Sequence, residues 1–264
     1  MTMKRPTYLA ALLLAAALTG CGEKAIQDIA SPPPATSRIR FFNFGVNAPS
    51  VNFYANETKM TAVTSSTGTE ATTGISYGGV GAGGNYAAIA PGQYTVSGRI
   101  AATTDKDKPI SNIATTIEDG KFYSVYQSGF YDATAKTVDG FAVEDNFTVP
   151  TDVTTASVRF VNAISNSQPM TLYVKGTSTG ATEIAIGSAV AYKGASAFVT
   201  IPAGPYDVYT RVAGSTTNVL TRTGLGFSPT RVYTITARGD ITVASTPTTC
   251  AATNKTCLDN TSNY

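Results

Sequence analysis

The chain reads as all-β: two tandem antiparallel β-sandwich domains following a short export segment. Three observations predict this. Apolar residues recur at every second position, so that Tyr94, Val96 and Ile100 share a face, as do Tyr123 with Val125, Tyr206 with Val208 and Val212, and Tyr233 with Ile235; period two places alternate side chains on one side of a sheet. Pro-Gly, Ala-Gly, Asp-Gly and Ser-Pro turn signals punctuate the chain at intervals of roughly 8–12 residues, the spacing of short strands in a sandwich. The chain also states one unit twice, and no segment after Cys21 carries an amphipathic helical period. Two sheets closing over aliphatic and tyrosine side chains is the arrangement that buries such faces.

Residues 1–20 hold Lys4 and Arg5, then an apolar run from Tyr8 to Leu18, then small residues. Eleven apolar residues are too few to cross roughly 30 Å of hydrocarbon, so the segment reads as a secretory signal and not a span. Its end, Leu18-Thr19-Gly20-Cys21, resembles the lipobox of bacterial lipoproteins, which implies cleavage before Cys21 and acylation of that residue. Three acyl chains, at about 0.8 kcal/mol for each buried methylene, hold a protein in a membrane almost permanently. Gly22 follows the cysteine where inner-membrane members of that class carry Asp, which implies the outer membrane. Residues 21–37, with three consecutive prolines, form an extended tether reaching about 50 Å at roughly 3 Å per residue.

Cleavage removes two cations and no acid, so the 19 Lys+Arg and 17 Asp+Glu of the full chain become 17 of each. A formally neutral body without a basic run argues against nucleic acid as a partner. The expected partners are the membrane, through Cys21, and an envelope protein or glycan.

Domain 1 is expected over 38–145 and domain 2 over 157–245, joined by a polar linker at 146–156 that carries Pro150. "IRFFNF" from Ile39 returns as "VRFVNA" from Val158; "PSVNFYAN" from Pro49 as "PMTLYVKG" from Pro169; "IAPGQYTVSGR" from Ile89 as "IPAGPYDVYTR" from Ile201; "GKFYSVYQSG" from Gly120 as "TRVYTITARG" from Thr230. The offset is 119 residues at Arg40/Arg159 and 110 at Tyr123/Tyr233, so the repeat is domain-sized and not solenoid-sized. Residues 246–264 read as a polar C-terminal tail. Cys250 and Cys257, an even pair in an oxidising compartment once Cys21 is acylated, are expected to form a disulfide that stabilises mainly that tail, by no more than about 3 kcal/mol.

These segments resemble the bacterial family called domain of unknown function 4397, most closely over "VRFVNA", "IPAGPYDVYTRVAG" and "RVYTITARG". The resemblance covers about 200 residues in two copies and implies an exported, often lipid-anchored protein. Where that family often has His after the first strand this chain has Asn43 and Asn162, so no imidazole role carries over. The P-x-G-x-Y-x-V turn resembles transthyretin-type modules, and the strand pattern suits an Ig-like or transthyretin-like sandwich.

Catalytic motifs fail on inspection. "GISYG", Gly74 to Gly78, matches the nucleophile elbow, but the chain contains no histidine to take the Ser76 proton and no helix pattern follows. "GVGAGG", Gly79 to Gly84, matches a dinucleotide fingerprint but runs into an alternating stretch ending at Pro91-Gly92, with no helix N-terminus for a phosphate. Asp105 with Asp107, Glu118 with Asp119 and Glu144 with Asp145 sit in turn-like stretches that read as solvated surface; two thiolates without His are too few ligands for zinc. Arg40/Arg159 and Arg99/Arg211 alternate with core residues and are expected to cover a sheet face or pair across strands. Most tyrosines fall on inward faces, with Tyr77 and Tyr192 left open beside glycine-rich turns. No cofactor, metal or catalytic residue is expected. The expectation is a non-catalytic binding or assembly module of the cell envelope; the rival classes are an envelope hydrolase using carboxylates and a subunit of a surface fibre.

Overall fold

The computed structural model describes residues 36–62, 71, 73–244, 250 and 256–264; the signal segment, Cys21 and the tether lie outside the described residues. Ala35–Tyr264 forms one compact unit, with seventeen strands among the described residues. The first copy contains β1 (Ser37–Val46), β2 (Val51–Ala55), β3 (Thr58–Lys59), β4 (Gly79–Val80), β5 (Ala87–Ile89), β6 (Gly92–Ile100), β7 (Pro109–Ile117), β8 (Phe122–Asp132) and β9 (Thr137–Glu144). The second contains β10 (Thr155–Asn162), β11 (Met170–Gly176), β12 (Glu183–Val190), β13 (Val199–Pro202), β14 (Gly204–Val212), β15 (Leu220–Phe227), β16 (Val232–Arg238) and β17 (Cys257–Ser262).

Each copy is a sandwich of two sheets with the same strand order. One sheet runs β3-β2-β6-β7 in the first copy and β12-β11-β14-β15 in the second; its partner runs β4-β1-β8-β9, with β5 also on β1, and β13-β10-β16-β17. Five strands face four in the first copy and four face four in the second, which differs from the immunoglobulin division of four strands facing three. The expectation of purely antiparallel sheets needs one correction: β1 pairs with β8, and β10 with β16, in parallel. Parallel neighbours require a long crossover, and the opposite sheet of each sandwich supplies it.

Alternation fills both interiors. In the first copy Ile39, Phe41, Val51, Phe53, Val96, Tyr123 and Val125 share one core; in the second Val158, Phe160, Leu172, Val174, Tyr206, Val208, Tyr233 and Ile235 share the other. The hydroxyls of Tyr94, Tyr206, Tyr123 and Tyr233 are satisfied in matched pairs. Tyr94 and Tyr206 donate to the carbonyls of Ala90 and Pro202, at 3.0 and 2.7 Å. Tyr123 and Tyr233 accept the amides of Glu118 and Ser228, at 3.1 and 3.0 Å. Between the paired strands, Gly92 and Gly204 take φ of 150° and 152°, a conformation that side-chain-bearing residues rarely adopt.

The segment read as a polar tail is in part a strand. β17 adds to the edge of β16 in register from Tyr233↔Ser262 to Arg238↔Cys257, the place β9 takes on β8. The second sandwich therefore runs from Thr155 to Ser262 and not over 157–245. Cys250 and Cys257 are disulfide-bonded, with Cα atoms 5.5 Å apart, so the bridge ties the start of a sheet strand and not a loose end. The sequence does not mark this strand, because "CLDNTS" shares no apolar pattern with "TVDGFAVE" of β9.

Leu172→Ala, which removes a fully buried side chain, should lower unfolding free energy by about 2–5 kcal/mol. Tyr233→Phe, which leaves one amide without its acceptor, should cost about 1 kcal/mol. Urea unfolding of each variant checks both, and equal costs would contradict the packing described.

Candidate functional site

The sheets carrying β1 and β8, and β10 and β16, are buried on both faces. Arg40, Phe42 and Phe44 leave β1 on the side opposite Ile39 and Phe41, and the two phenylalanines meet Tyr126, Phe141, Val161 and Ala163 in a third apolar cluster between the sandwiches. Register makes the contributions comparable: Phe42 corresponds to Val161, Phe44 to Ala163, Tyr126 to Thr236 and Phe141 to Asp259. The first copy offers four rings where the second offers smaller side chains.

A polar network closes one end of this junction, and its parts are duplicated. Arg40 Nε donates to Ser124 Oγ at 2.8 Å and Arg159 Nε to Thr234 Oγ1 at 3.0 Å. Each arginine then crosses to the last strand of the other copy: Arg40 Nη1 reaches the Ser262 carbonyl and Arg159 Nη1 the Glu144 carbonyl, both at 2.9 Å. That reciprocity is the property of surfaces related by a two-fold axis. Asp145 and Asn263 occupy matched positions after those strands, their amides bonded to Phe122 and Val232 at 2.7 Å. Asp145 accepts from Ser124 at 2.6 Å, and also from Tyr86 and Arg159, with Arg40 Nε 3.8 Å away. Asn263 accepts from Thr234 at 2.7 Å and donates to Tyr86 at 3.0 Å. Burial first, then the Asp145 charge, pushes the Tyr86 hydroxyl far above its ordinary range, so it stays a donor.

Asp145 is 3% exposed, which corrects its reading as solvated surface. The cause is the linker, which docks against the sandwiches: Phe147 packs edge-on against Phe122 and Phe198, with ring centroids 5.3 and 6.0 Å away. Arg40 lies under the Tyr86 ring at 4.6 Å and Arg159 under Phe198 at 4.8 Å, another matched pair.

Beside Phe198 the linker and the second sandwich enclose a groove of about 650 Å³, lined by Asn146, Thr148, Arg159, Ser196, Phe198 and Thr200 among others. Its volume falls within the range of small-molecule sites. The side chains of Asn146, Thr148 and Thr200 are exposed and have no hydrogen-bond partner among the described residues. On the outer faces the arginines, tyrosines and glutamates satisfy one another. Arg99 covers Tyr54 at 4.3 Å and pairs bidentately with Glu57, both bonds 2.9 Å. Arg211 covers Tyr173 at 4.9 Å and Tyr209 at 4.8 Å, and pairs with Glu183 at 2.8 and 3.0 Å. The Tyr209 hydrogen bond, and then Arg211, hold the Glu183 carboxyl below its ordinary value; burial, and then Glu183, push Tyr209 up to about 12.

The other residues singled out in the sequence are not brought together. Ser76 is exposed just after the Ile75–Val51 bridge, and Gly79 to Gly84 forms β4 and a tight turn in which Ala82 and Gly83 take φ of 50° and 66°. Asp105 pairs with Lys136, Asp107 accepts from Tyr54 at 3.3 Å, and Lys121 bridges Glu118 and Glu144 at 2.6 and 3.2 Å. Asn43 and Asn162 hold turns, donating to the carbonyls of Ile75 and Val190 at 2.8 and 3.1 Å. Tyr77 stacks on Arg238 at 4.8 Å, and Tyr192 bonds Ser128 at 3.0 Å. Both join the junction. Cys21 lies outside the described residues.

The family model described as domain of unknown function (DUF4397) matches residues 37–173 and again 156–262. No curated protein matches the chain significantly. Among solved structures, the TIE protein of Bacillus anthracis aligns at 14% identity and a TM-score of 0.23, covering 76% of this chain; this chain spans 32% of that one. A structure from Bacteroides ovatus described as a candidate cell adhesion protein aligns at 12% identity and TM-score 0.25, covering 88% of this chain and 96% of that one. A structure from Bacteroides eggerthii with the same description aligns at 9% and 0.20, covering 87% and 97%.

Asp145→Ala strands two buried guanidinium groups and should cost about 3–5 kcal/mol, whereas Tyr86→Phe, which removes one donor, should cost about 1 kcal/mol; equilibrium denaturation distinguishes them. For Glu183, the folded carboxyl holds its proton less tightly than the unfolded chain does. Its contribution is therefore complete above the ordinary carboxylate range, about pH 4.3, and is lost as pH falls through the lower folded value. Glu183→Gln should flatten the acid side of the stability curve and leave its slope between pH 6 and 8 unchanged. Denaturation midpoints across pH test this, and an unchanged acid slope would refute it.

Proposed function

The chain belongs to the DUF4397 family, with two copies of its domain, and on that premise we propose that it is a lipid-anchored protein of the bacterial cell envelope, working without catalysis as a binding or assembly module. Leu18-Thr19-Gly20-Cys21 carries the anchoring part of the reading. Acylation at Cys21 would put the chain on a membrane, and the Gly22 that follows favours the outer one. The prolines of residues 32–34 would then hold the double sandwich away from the lipid surface.

The binding part rests on how the ionisable groups are used. The acids considered as catalytic candidates lie against cations or hydroxyls in pairs that hold strands and copies together. A general acid or base needs instead a free carboxyl poised beside a reacting atom. Where these acids are held in such pairs, and neutral hydroxyl and amide groups such as those of Asn146, Thr148 and Thr200 face outward, the arrangement suits recognition.

Mass spectrometry of the mature protein should find cleavage before Cys21 and acyl chains on it, and Cys21→Ser should leave an uncleaved, unacylated precursor. A mature wild-type chain with a bare thiol would refute the anchor. Turnover of peptidoglycan or polysaccharide by the purified protein, abolished by changing a single acid, would refute the non-catalytic reading.

A further inference from the structure

We propose that the groove beside Phe198 binds a neutral, hydroxyl-rich glycan segment; the proposal rests on the binding-module reading and names its ligand class. Three features of the groove point to that chemistry. The first is a flat apolar ring. Phe198 is half-buried and held from beneath by the Arg159 guanidinium at 4.8 Å and from the side by Phe147 at 6.0 Å. A ring fixed in this way offers a rigid surface to the C–H face of a sugar without losing rotamer entropy on binding.

The second feature is the free hydrogen-bonding capacity around that ring. Asn146 and Thr148 come from the linker and Thr200 from β13; all three are exposed, and none has a partner among the described residues. An amide and two hydroxyls supply both donors and acceptors, which suits vicinal hydroxyl groups that also do both. The third is the absence of uncommitted charge. The Arg159 guanidinium is bound by Asp145, Thr234 and the Glu144 carbonyl, and the Glu144 carboxylate by Lys121. An anionic polymer would find no free cation on these walls.

The internal two-fold relation adds a comparison. At the matched position in the first copy, Tyr86 turns its hydroxyl inward to Asp145 and receives Asn263. Phe198 has no hydroxyl to be engaged in that way, and its ring is fixed only by Arg159 and by Phe147 of the linker.

The test titrates the mature chain with cellohexaose and chitohexaose, and with a hexamer of polygalacturonate as the charged comparator, following amide chemical shifts. At least one neutral hexamer should bind, with shifts centred on residues 146–148 and 195–200. The triple variant Asn146→Ala, Thr148→Ala, Thr200→Val should weaken binding at least tenfold while keeping the wild-type melting temperature. Phe198→Leu, which keeps apolar bulk over Arg159, should do the same. Binding of the charged hexamer alone, undiminished binding by both variants, or no binding of either neutral hexamer would overturn the glycan assignment. Retention of the same protein on a synthetic peptide, with shifts in the groove, would overturn it in favour of a peptide ligand and leave the binding-module reading standing. Only catalytic turnover would remove both.

Discussion

One carboxylate, that of Asp145, lies between two buried guanidinium groups, and the relation of the two sandwiches depends on it. Removing three charges from water is expensive, and an apolar junction of equal size would hold at least as tightly. The charged arrangement supplies direction instead. Arg40 and Arg159 each form bonds of fixed geometry to the far copy's last strand, so a slip of one residue at the junction would break both at once and leave buried charges unpaired. The apolar cluster of Phe42, Phe44, Tyr126 and Phe141 supplies burial without such selectivity, because hydrophobic contact is non-directional. Burial drives the association and the network fixes its register.

The near-symmetry of the junction is broken in a consistent direction. Where the first copy has Phe42, Phe44, Tyr126 and Phe141, the second has Val161, Ala163, Thr236 and Asp259. Two faces of the first kind would overfill the space between them, and two of the second would leave it underfilled; both faults are costly in close-packed interiors. The copies are thus complementary to each other and not to themselves. Arg238 illustrates the specialisation: it stands where the first copy has Ser128, and its guanidinium lies over Phe44 and Tyr77 of the other sandwich.

Much of this architecture is legible in the sequence, because short-range patterns determine it. Period two marks the inward faces, and the repeated "G-x-Y-x-V" and "R-F" segments mark the duplication. What escapes is whatever depends on a second burial. Arg40 and Arg159 alternate with core residues as solvent-facing side chains would, and no local pattern separates a face that meets water from one that meets another domain. One signal was available: Phe42 and Phe44 are large apolar residues on the face opposite Phe41, and strands buried on both sides lose their alternation. Asp145 is hidden for a related reason, since a polar residue beside a linker carries no mark of the arginines that fold over it. The groove was not legible at all, because Asn146, Thr148, Phe198 and Thr200 converge only after the copies dock.

That convergence offers a physical reason for keeping two copies in one chain. Each sandwich carries concavities of its own, of about 260 and 450 Å³ in the first copy and 410 Å³ in the second, and Arg–Tyr–Glu clusters cover part of the outer faces. The groove beside Phe198 is one that a sandwich forms only together with the linker. To serve recognition, such a crevice must keep its width, since a wall that shifts by an ångström loses the hydrogen bonds it would offer a ligand. The linker that forms one wall is fixed at Asp145 by charge and at Phe147 by packing, and the other wall is tied to the sheet through Ser196 and β13. The network that makes the junction selective therefore also keeps the groove open at a constant width, and the stability of the pair and the shape of its candidate site follow from the same few buried side chains.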